Sequence, residues 1–167
     1  MHVHLVGACG AGMSSLAGLL HAQGHRVSGS DARFEPPASD ALAAARVETR
    51  TGYDPAHLDP RPDLVVVGNV CRRDNPEARA AFDRGLAVRS MAGALRELFL
   101  RGRTPLVVAG THGKSTTTAL VAHLLHVCGR DPSFLVGGIA RNFGSSSHLG
   151  AGAEFVVEGD EYDSAFF

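Results

Sequence analysis

Two short apolar runs, residues 3–6 and 106–109, each end in a glycine-rich turn that leads directly into a helical pattern. This strand–turn–helix order, occurring twice, constrains the fold more than any other feature. A buried strand that feeds a helix through a tight turn belongs to parallel α/β architecture, because the helix crosses back over the sheet before the next strand. The intervening sequence agrees. Residues 26–30 read as a strand ending at Asp31, 63–68 as the clearest strand, 86–88 as strand-like, and 134–136 and 154–157 as further strands. Helices are expected over 13–23, with Gly24 just beyond, and over 39–45. Another runs over 75–84, with Asn75 as N-cap, Pro76 in the first turn and Gly85 at its end. Two more cover 92–100, with Leu95, Leu98 and Phe99 as the apolar face, and 114–127, closed by Gly129. Residues 53–62 carry three prolines and read as a loop. The polar stretch 101–105 breaks both periodicities, so domains are expected over 1–101 and 105–167.

Composition narrows the class. The chain is 44% hydrophobic and 20% charged, enough to bury a core and unlike a disordered chain. Sixteen basic and 17 acidic residues leave a net charge of −1, so no nucleic-acid partner is expected. Cys9, Cys71 and Cys128 are odd in number and far apart, which fits neither a disulfide framework nor a zinc ribbon and suits a reducing compartment. The N-terminal apolar stretch has no Lys or Arg before it and is interrupted by His and Gly, unlike a signal peptide. No run reaches the ~18 apolar residues of a membrane span. The expectation is a soluble cytoplasmic protein with no membrane partner.

The first turn, Gly7-Ala8-Cys9-Gly10-Ala11-Gly12, has the form that lets a backbone approach a diphosphate at a helix N-terminus. Asp31 follows Gly10 by 21 residues, where a ribose-binding acid often sits, although Ser15 stands at the third glycine position of the dinucleotide pattern. A tight turn without a ligand is the plain alternative. The second turn is Gly110-Thr111-His112-Gly113-Lys114-Ser115-Thr116. It is a variant P-loop: Lys114 suits β/γ-phosphates and Ser115 a Mg²⁺ ligand, but Val108 occupies the first glycine position of the strict pattern. Its plain alternative is a chance Gly-Lys-Ser-Thr at a helix start. Third, Glu158, Asp160, Glu161 and Asp163 gather at the end of a strand. They suit Mg²⁺, which takes carboxylate oxygens and keeps several waters, or else a solvated acidic turn. The pairs His2/His4 and His123/His126 lack the Cys or acid that would complete a metal set, Met13 reads as core, and Cys9 as packing more than chemistry.

Three function classes follow. A nicotinamide-dependent oxidoreductase or NAD-binding module would use the first turn and Asp31. A stand-alone P-loop ATPase or regulatory nucleotide-binding module would use the second. A protein that binds two phosphorylated ligands in series would use both.

The run Gly7 to Met13, then Ser28-Gly29-Ser30-Asp31, then Gly110-Thr111-His112-Gly113-Lys114, resembles the Mur ligase family, in the family's order and over the whole chain. These enzymes build the peptide stem of bacterial cell-wall precursors. The resemblance implies an α/β fold, with a Rossmann-like parallel sheet that binds UDP-N-acetylmuramate, followed by the beginning of a P-loop α/β ATP-binding domain. It implies an ATP- and Mg²⁺-dependent reaction in which the muramyl carboxylate becomes an acyl phosphate and an amine displaces phosphate. By the same resemblance Gly10, Ala11, Gly12, Met13, Asp31 and Asn69 would bind the UDP-sugar, in place of NAD. Gly110, Thr111, His112, Gly113, Lys114, Ser115 and Thr116 would bind ATP. Lys114 and Glu158 would act catalytically, with Ser115 and Glu158 on the metal and Asp160 and Glu161 as weaker ligands. Residues 52–55, 68–76, 137–138, 142–143 and 161–167 are most similar to members that attach the tripeptide L-alanyl-γ-D-glutamyl-meso-diaminopimelate during peptidoglycan recycling. Members that attach L-alanine are the alternative. Ser115 for the usual Thr, and Gly159 for the usual Ala, are mild departures. Family members carry three domains, so the chain is expected to be a fragment. Alone it would be inactive as a ligase, with the remainder of the ligase chain as a partner.

Overall fold

A computed structural model describes residues 1–71 and 74–159. The chain divides into two compact units, Met1–Ala94 and Leu95–Phe167.

The first unit is built on five parallel strands, β1 (His2–Val6), β2 (Arg26–Asp31), β3 (Glu48–Thr51), β4 (Leu64–Val67) and β5 (Val88–Ser90), in the order β3-β2-β1-β4-β5. Helices α1 (Ala11–Ala22), α2 (Ala38–Ala44) and α3 (Pro76–Asp83) follow β1, β3's predecessor β2, and β4. Helix α4 (Met91–Leu95) follows β5 and runs on into a π-helical turn, Arg96–Leu100. The chain leaves β1 toward β2 and later returns to its other side at β4. The C-terminal ends of β1 and β4 therefore flank the switch point where such sheets bind ligands.

Local chemistry explains most boundaries. Asn75 caps α3, its Oδ1 accepting from the Glu77 and Ala78 amides at 3.0 Å each, with Pro76 in the first turn. Gly24 lies just past α1 at φ +82°, the left-handed exit that glycine makes easy. The proline-rich stretch 53–62 contains a 3-10 turn, Pro55–Leu58, whose start Asp54 caps by accepting from the Ala56 amide at 2.8 Å. Strand β3 is Glu-Thr-Arg-Thr, an unexpected element. It lies at the sheet edge and pairs only with β2, so it needs no apolar alternation.

Central position sets the demand on β1. Val3, His4, Leu5 and Val6 are all 0% exposed, because both faces and both edges are covered. A histidine there must find partners. His4 Nε2 meets Glu77 Oε1 at 2.5 Å, and Nδ1 lies 2.8 Å from Ser28 Oγ, which also lies 2.8 Å from His2 Nε2. Glu77 is also 0% exposed.

The second unit carries β6 (Thr104–Ala109), β7 (Ser133–Ala140), β8 (Ser145–His148) and β9 (Glu154–Gly159), ordered β6-β9-β7-β8, with α5 (Lys114–Val127) after β6. Strands β6, β9 and β7 are mutually parallel. Strand β8, which the sequence reading left unassigned, pairs antiparallel with β7. Four residues, 141–144, join the two strands, far fewer than the dozen or so a parallel crossover needs. Strand β7 also runs well beyond 134–136, the glycines at 137 and 138 having hidden its periodicity. Ala122, Phe134, Val136, Ala140 and Val156 form the core between α5 and the sheet.

Replacing Glu77 by Ala leaves His4 buried without its carboxylate, and urea unfolding should show a loss of about 3–5 kcal/mol. Replacing His4 and Glu77 together by leucine should recover most of that loss, since paired apolar groups leave no buried polar group without its partner. A loss under about 1 kcal/mol for Glu77→Ala would contradict the pairing.

Candidate functional site

Both glycine turns sit at the C-terminal ends of parallel strands and open a helix. In the first unit the turn begins at Gly7, φ +82°, where a side chain would be strained and its Cβ would come within 2.9 Å of Cys71 Sγ. The Gly7 and Ala8 amides both donate to Ser30 O at 2.9 Å, fastening the turn to the end of β2. Gly10 precedes α1 in an extended conformation, without a side-chain cap and with no acid in the first turn. The first turn of the helix thus carries no acid of its own to compete with an anion at its N-terminus. Ser15, at the imperfect glycine position, is 1% exposed and returns its hydroxyl to Ala11 O at 2.8 Å, so the serine is accommodated without an orphaned group.

Asp31 organises this turn. Its Oδ2 accepts from the Cys9 amide at 2.7 Å, and its Oδ1 accepts from the Ala32 amide at 2.7 Å and from Tyr53 Oη at 3.4 Å. Burial, followed by the influence of Cys71 and Asp31, pushes the Tyr53 phenol well above its ordinary range, so it stays a neutral donor to Asp31. Burial likewise raises the Cys71 thiol, which lies 3.9 Å from Tyr53 Oη and so stays protonated. Of the other residues expected at this site, Ala11 is exposed and Gly10 and Gly12 are half-buried. Met13 is 4% exposed and packs toward Gly68, where a Cβ would lie 3.3 Å from Met13 Cγ. It therefore offers a ligand backbone and packing. Asn69 is exposed in the turn after β4, on the other side of the switch point.

In the second unit Gly110 has φ +144° and Gly113 φ +77°, and nothing lies within 4 Å of where a Cβ would be on either. Thr111, His112 and Thr116 are exposed around them. Gly113 precedes α5 without a side-chain cap, again with no acid in the first turn. Lys114 Nζ donates to Gly110 O at 2.8 Å, which folds the ammonium over the turn at the surface.

The parallel register of β6 and β9 pairs Val108 with Glu158. This brings the carboxylate to the start of α5, where Ser115 Oγ donates to Glu158 Oε2 at 3.2 Å. Among the described residues no group of three or more His, Cys, Asp or Glu gathers to hold a metal. A divalent ion here would rest on one carboxylate, one hydroxyl, phosphate oxygens and water, the habit of Mg²⁺. Asp160, Glu161 and Asp163 lie outside the described residues. No described helix is long and apolar enough to cross a membrane.

Two participants carried no role in the sequence reading. Tyr53, in the proline-rich loop, shows no local pattern that ties it to Asp31, 22 residues away. Gly137, whose amide donates to Glu158 Oε1 at 2.7 Å, does leave a signal: a glycine pair inside an apolar strand marks a close approach.

The family described as Mur ligase family, catalytic domain, matches residues 2–103. The UDP-N-acetylmuramate–L-alanyl-γ-D-glutamyl-meso-2,6-diaminoheptandioate ligase of Escherichia coli K12 is 44% identical over 167 residues, 100% of this chain and 36% of its own length. The UDP-N-acetylmuramate–L-alanine ligase of Methylibium petroleiphilum is 44% identical over 165 residues, 99% of this chain and 34% of its own. A crystal structure of a murein peptide ligase from Psychrobacter arcticus matches with a TM-score of 0.90 at 43% identity, covering 98% of this chain and 38% of that one. The chain spans about a third of the length of the curated relatives it matches.

Replacing Asp31 by Ala removes a charge-assisted bond to the Cys9 amide worth about 1.5–3 kcal/mol. Hydrogen exchange followed by NMR should show the Cys9 amide exchanging at least about tenfold faster, with the Leu5 and Val65 amides unchanged. Unaltered exchange at Cys9 would contradict the organising role.

Proposed function

Because this chain belongs to the Mur ligase family, we propose that it forms the nucleotide-handling part of an ATP-dependent, amide-bond-forming ligase. The enzyme would join L-alanyl-γ-D-glutamyl-meso-diaminopimelate to UDP-N-acetylmuramate in the recycling of cell-wall peptide, in the cytoplasm. The first unit would bind the UDP-sugar and the second the ATP.

The observation that carries this is the meeting of Ser115 and Glu158 at the open turn beneath Lys114. The residues fit a magnesium–nucleotide complex. The positive-φ glycines leave the turn free of side chains, the first turn of α5 has no competing acid, and a hydroxyl and a carboxylate converge at its rim. Bound ATP would supply the phosphoryl group that makes the muramyl carboxylate an acyl phosphate, with Mg²⁺ offsetting the phosphate charge. Residues 110–116 would hold the phosphates through backbone amides. Lys114 would place its ammonium against them, and Ser115 and Glu158 would hold the metal. In the first unit, residues 10–13 and Asn69 would face the UDP diphosphate and sugar across the switch point. Asp31 would keep the Cys9 amide and its turn in register. Such chemistry rests on positioning and charge more than on a covalent protein intermediate.

L-alanine as the amine is the second reading, favoured by the equal 44% identity to the Methylibium alanine ligase. A nicotinamide enzyme would leave Lys114, Ser115 and Glu158 without a role.

Calorimetry separates the two cradles. UDP-N-acetylmuramate should bind the unaltered chain and bind Lys114→Ala equally well, whereas ATP with Mg²⁺ should bind Lys114→Ala at least about tenfold more weakly. Binding of NAD(H) with indifference to the UDP-sugar would contradict the assignment of the first turn.

A further inference from the structure

We propose that Gly137 is a positioning residue for the metal-facing carboxylate, holding Glu158 through its amide and through the absence of a side chain. This rests on the reading of Ser115 and Glu158 as a divalent-cation seat. Glu158 is held from two sides by different elements. Ser115 Oγ, at the start of α5, donates to Oε2 at 3.2 Å, and the Gly137 amide, within β7, donates to Oε1 at 2.7 Å. The shorter of the two bonds comes from a backbone that cannot swing away. Strand β7 is parallel to β9, with Leu135 opposite Val157, so position 137 sits one step along the sheet from Glu158. A Cβ at 137 would come within 3.3 Å of Oε2 and 3.7 Å of Oε1, tight enough that the carboxylate would have to shift. Any residue but glycine would thus push on the oxygen that meets Ser115. Gly138, the next residue, has nothing within 4 Å of its Cβ position. The two neighbouring glycines therefore differ in what a methyl group would touch, and neither has a positive φ.

A carboxylate with one oxygen fixed by a backbone amide keeps the other aimed in one direction. Loss of such a supporting bond typically costs 10–100-fold in metal affinity. The consequence differs from a general loss of nucleotide affinity, because the three atoms nearest to a Cβ at 137 all belong to Glu158 and none to Lys114 or the glycine turn.

The test uses Mn²⁺ as a spectroscopically visible substitute for Mg²⁺, with the non-hydrolysable ATP analogue AMPPNP. It compares the unaltered chain with Gly137→Ala, Gly138→Ala and Glu158→Gln. Electron paramagnetic resonance titration should show Mn²⁺ held about tenfold or more weakly by Gly137→Ala and by Glu158→Gln, and unchanged in Gly138→Ala. Metal-free AMPPNP should bind Gly137→Ala and the unaltered chain equally. Equal Mn²⁺ affinity of Gly137→Ala and the unaltered chain, or equal weakening by Gly137→Ala and Gly138→Ala, overturns the inference while leaving the cation seat standing. Glu158→Gln indistinguishable from the unaltered chain overturns the cation seat and the inference with it. A readout that needs no change at residue 137 is the Gly137 amide resonance. In Glu158→Gln it should shift strongly while that of Gly138 stays in place, and an unmoved Gly137 amide also overturns the proposal.

Discussion

The parallel pairing of β6 with β9 is the constraint on which the second unit depends. Residues 115 and 158 are 43 apart in sequence, and no local preference brings them together. The register does: Val108 opposite Glu158 and Ala109 opposite Gly159 level the end of β9 with the start of the glycine turn. A slip of one residue would send the Glu158 side chain to the opposite face of the sheet, away from α5. The apolar run Phe155, Val156, Val157, each 1% exposed or less, fixes that register by burial. The packed core thus sets the place of the one described carboxylate at the loop.

The first unit solves a related problem with different means. Its glycine turn is anchored to the neighbouring strand by the Ser30 carbonyl and by Asp31, while the strand beneath it carries a histidine through the centre of the sheet. A fully buried His–Glu pair is a costly way to fill a core, because both groups give up water. It ties β1, β2 and α3 together through Ser28, His4 and Glu77, the three elements that flank or underlie the turn. Rigid support beneath the glycine turn is what precise placement of a ligand there would require.

The periodic and capped elements were legible in the sequence. Helix α5 occupies the expected residues, and Asn75-Pro76 announced α3, because caps and punctuation are local signals. Strand β3 was not legible, since an edge strand of Glu, Thr and Arg carries no burial pattern. The antiparallel β8 escaped for a related reason: Ser-Ser-Ser-His carries no apolar alternation, and its pairing with β7 is seen only in the folded chain. At the site, Lys114 and Ser115 stand out in one turn. The bonds from Tyr53 to Asp31 and from Gly137 to Glu158 span 22 and 21 residues and exist only once the sheets are assembled. The sequence marks groups of the types that suit phosphate and metal, and the folded chain adds Tyr53 and Gly137, which hold two of them in place.

The proposal of two phosphate-binding turns in series, the first for a UDP-sugar and the second for a magnesium–nucleotide complex, is tested most directly by NMR chemical-shift mapping on the 15N-labelled chain. UDP-N-acetylmuramate should move the amides of residues 7–13 and leave 110–116 in place, and AMPPNP with Mg²⁺ should do the reverse. Movement of both sets by one ligand alone, or of neither set by the UDP-sugar, would contradict the division of labour.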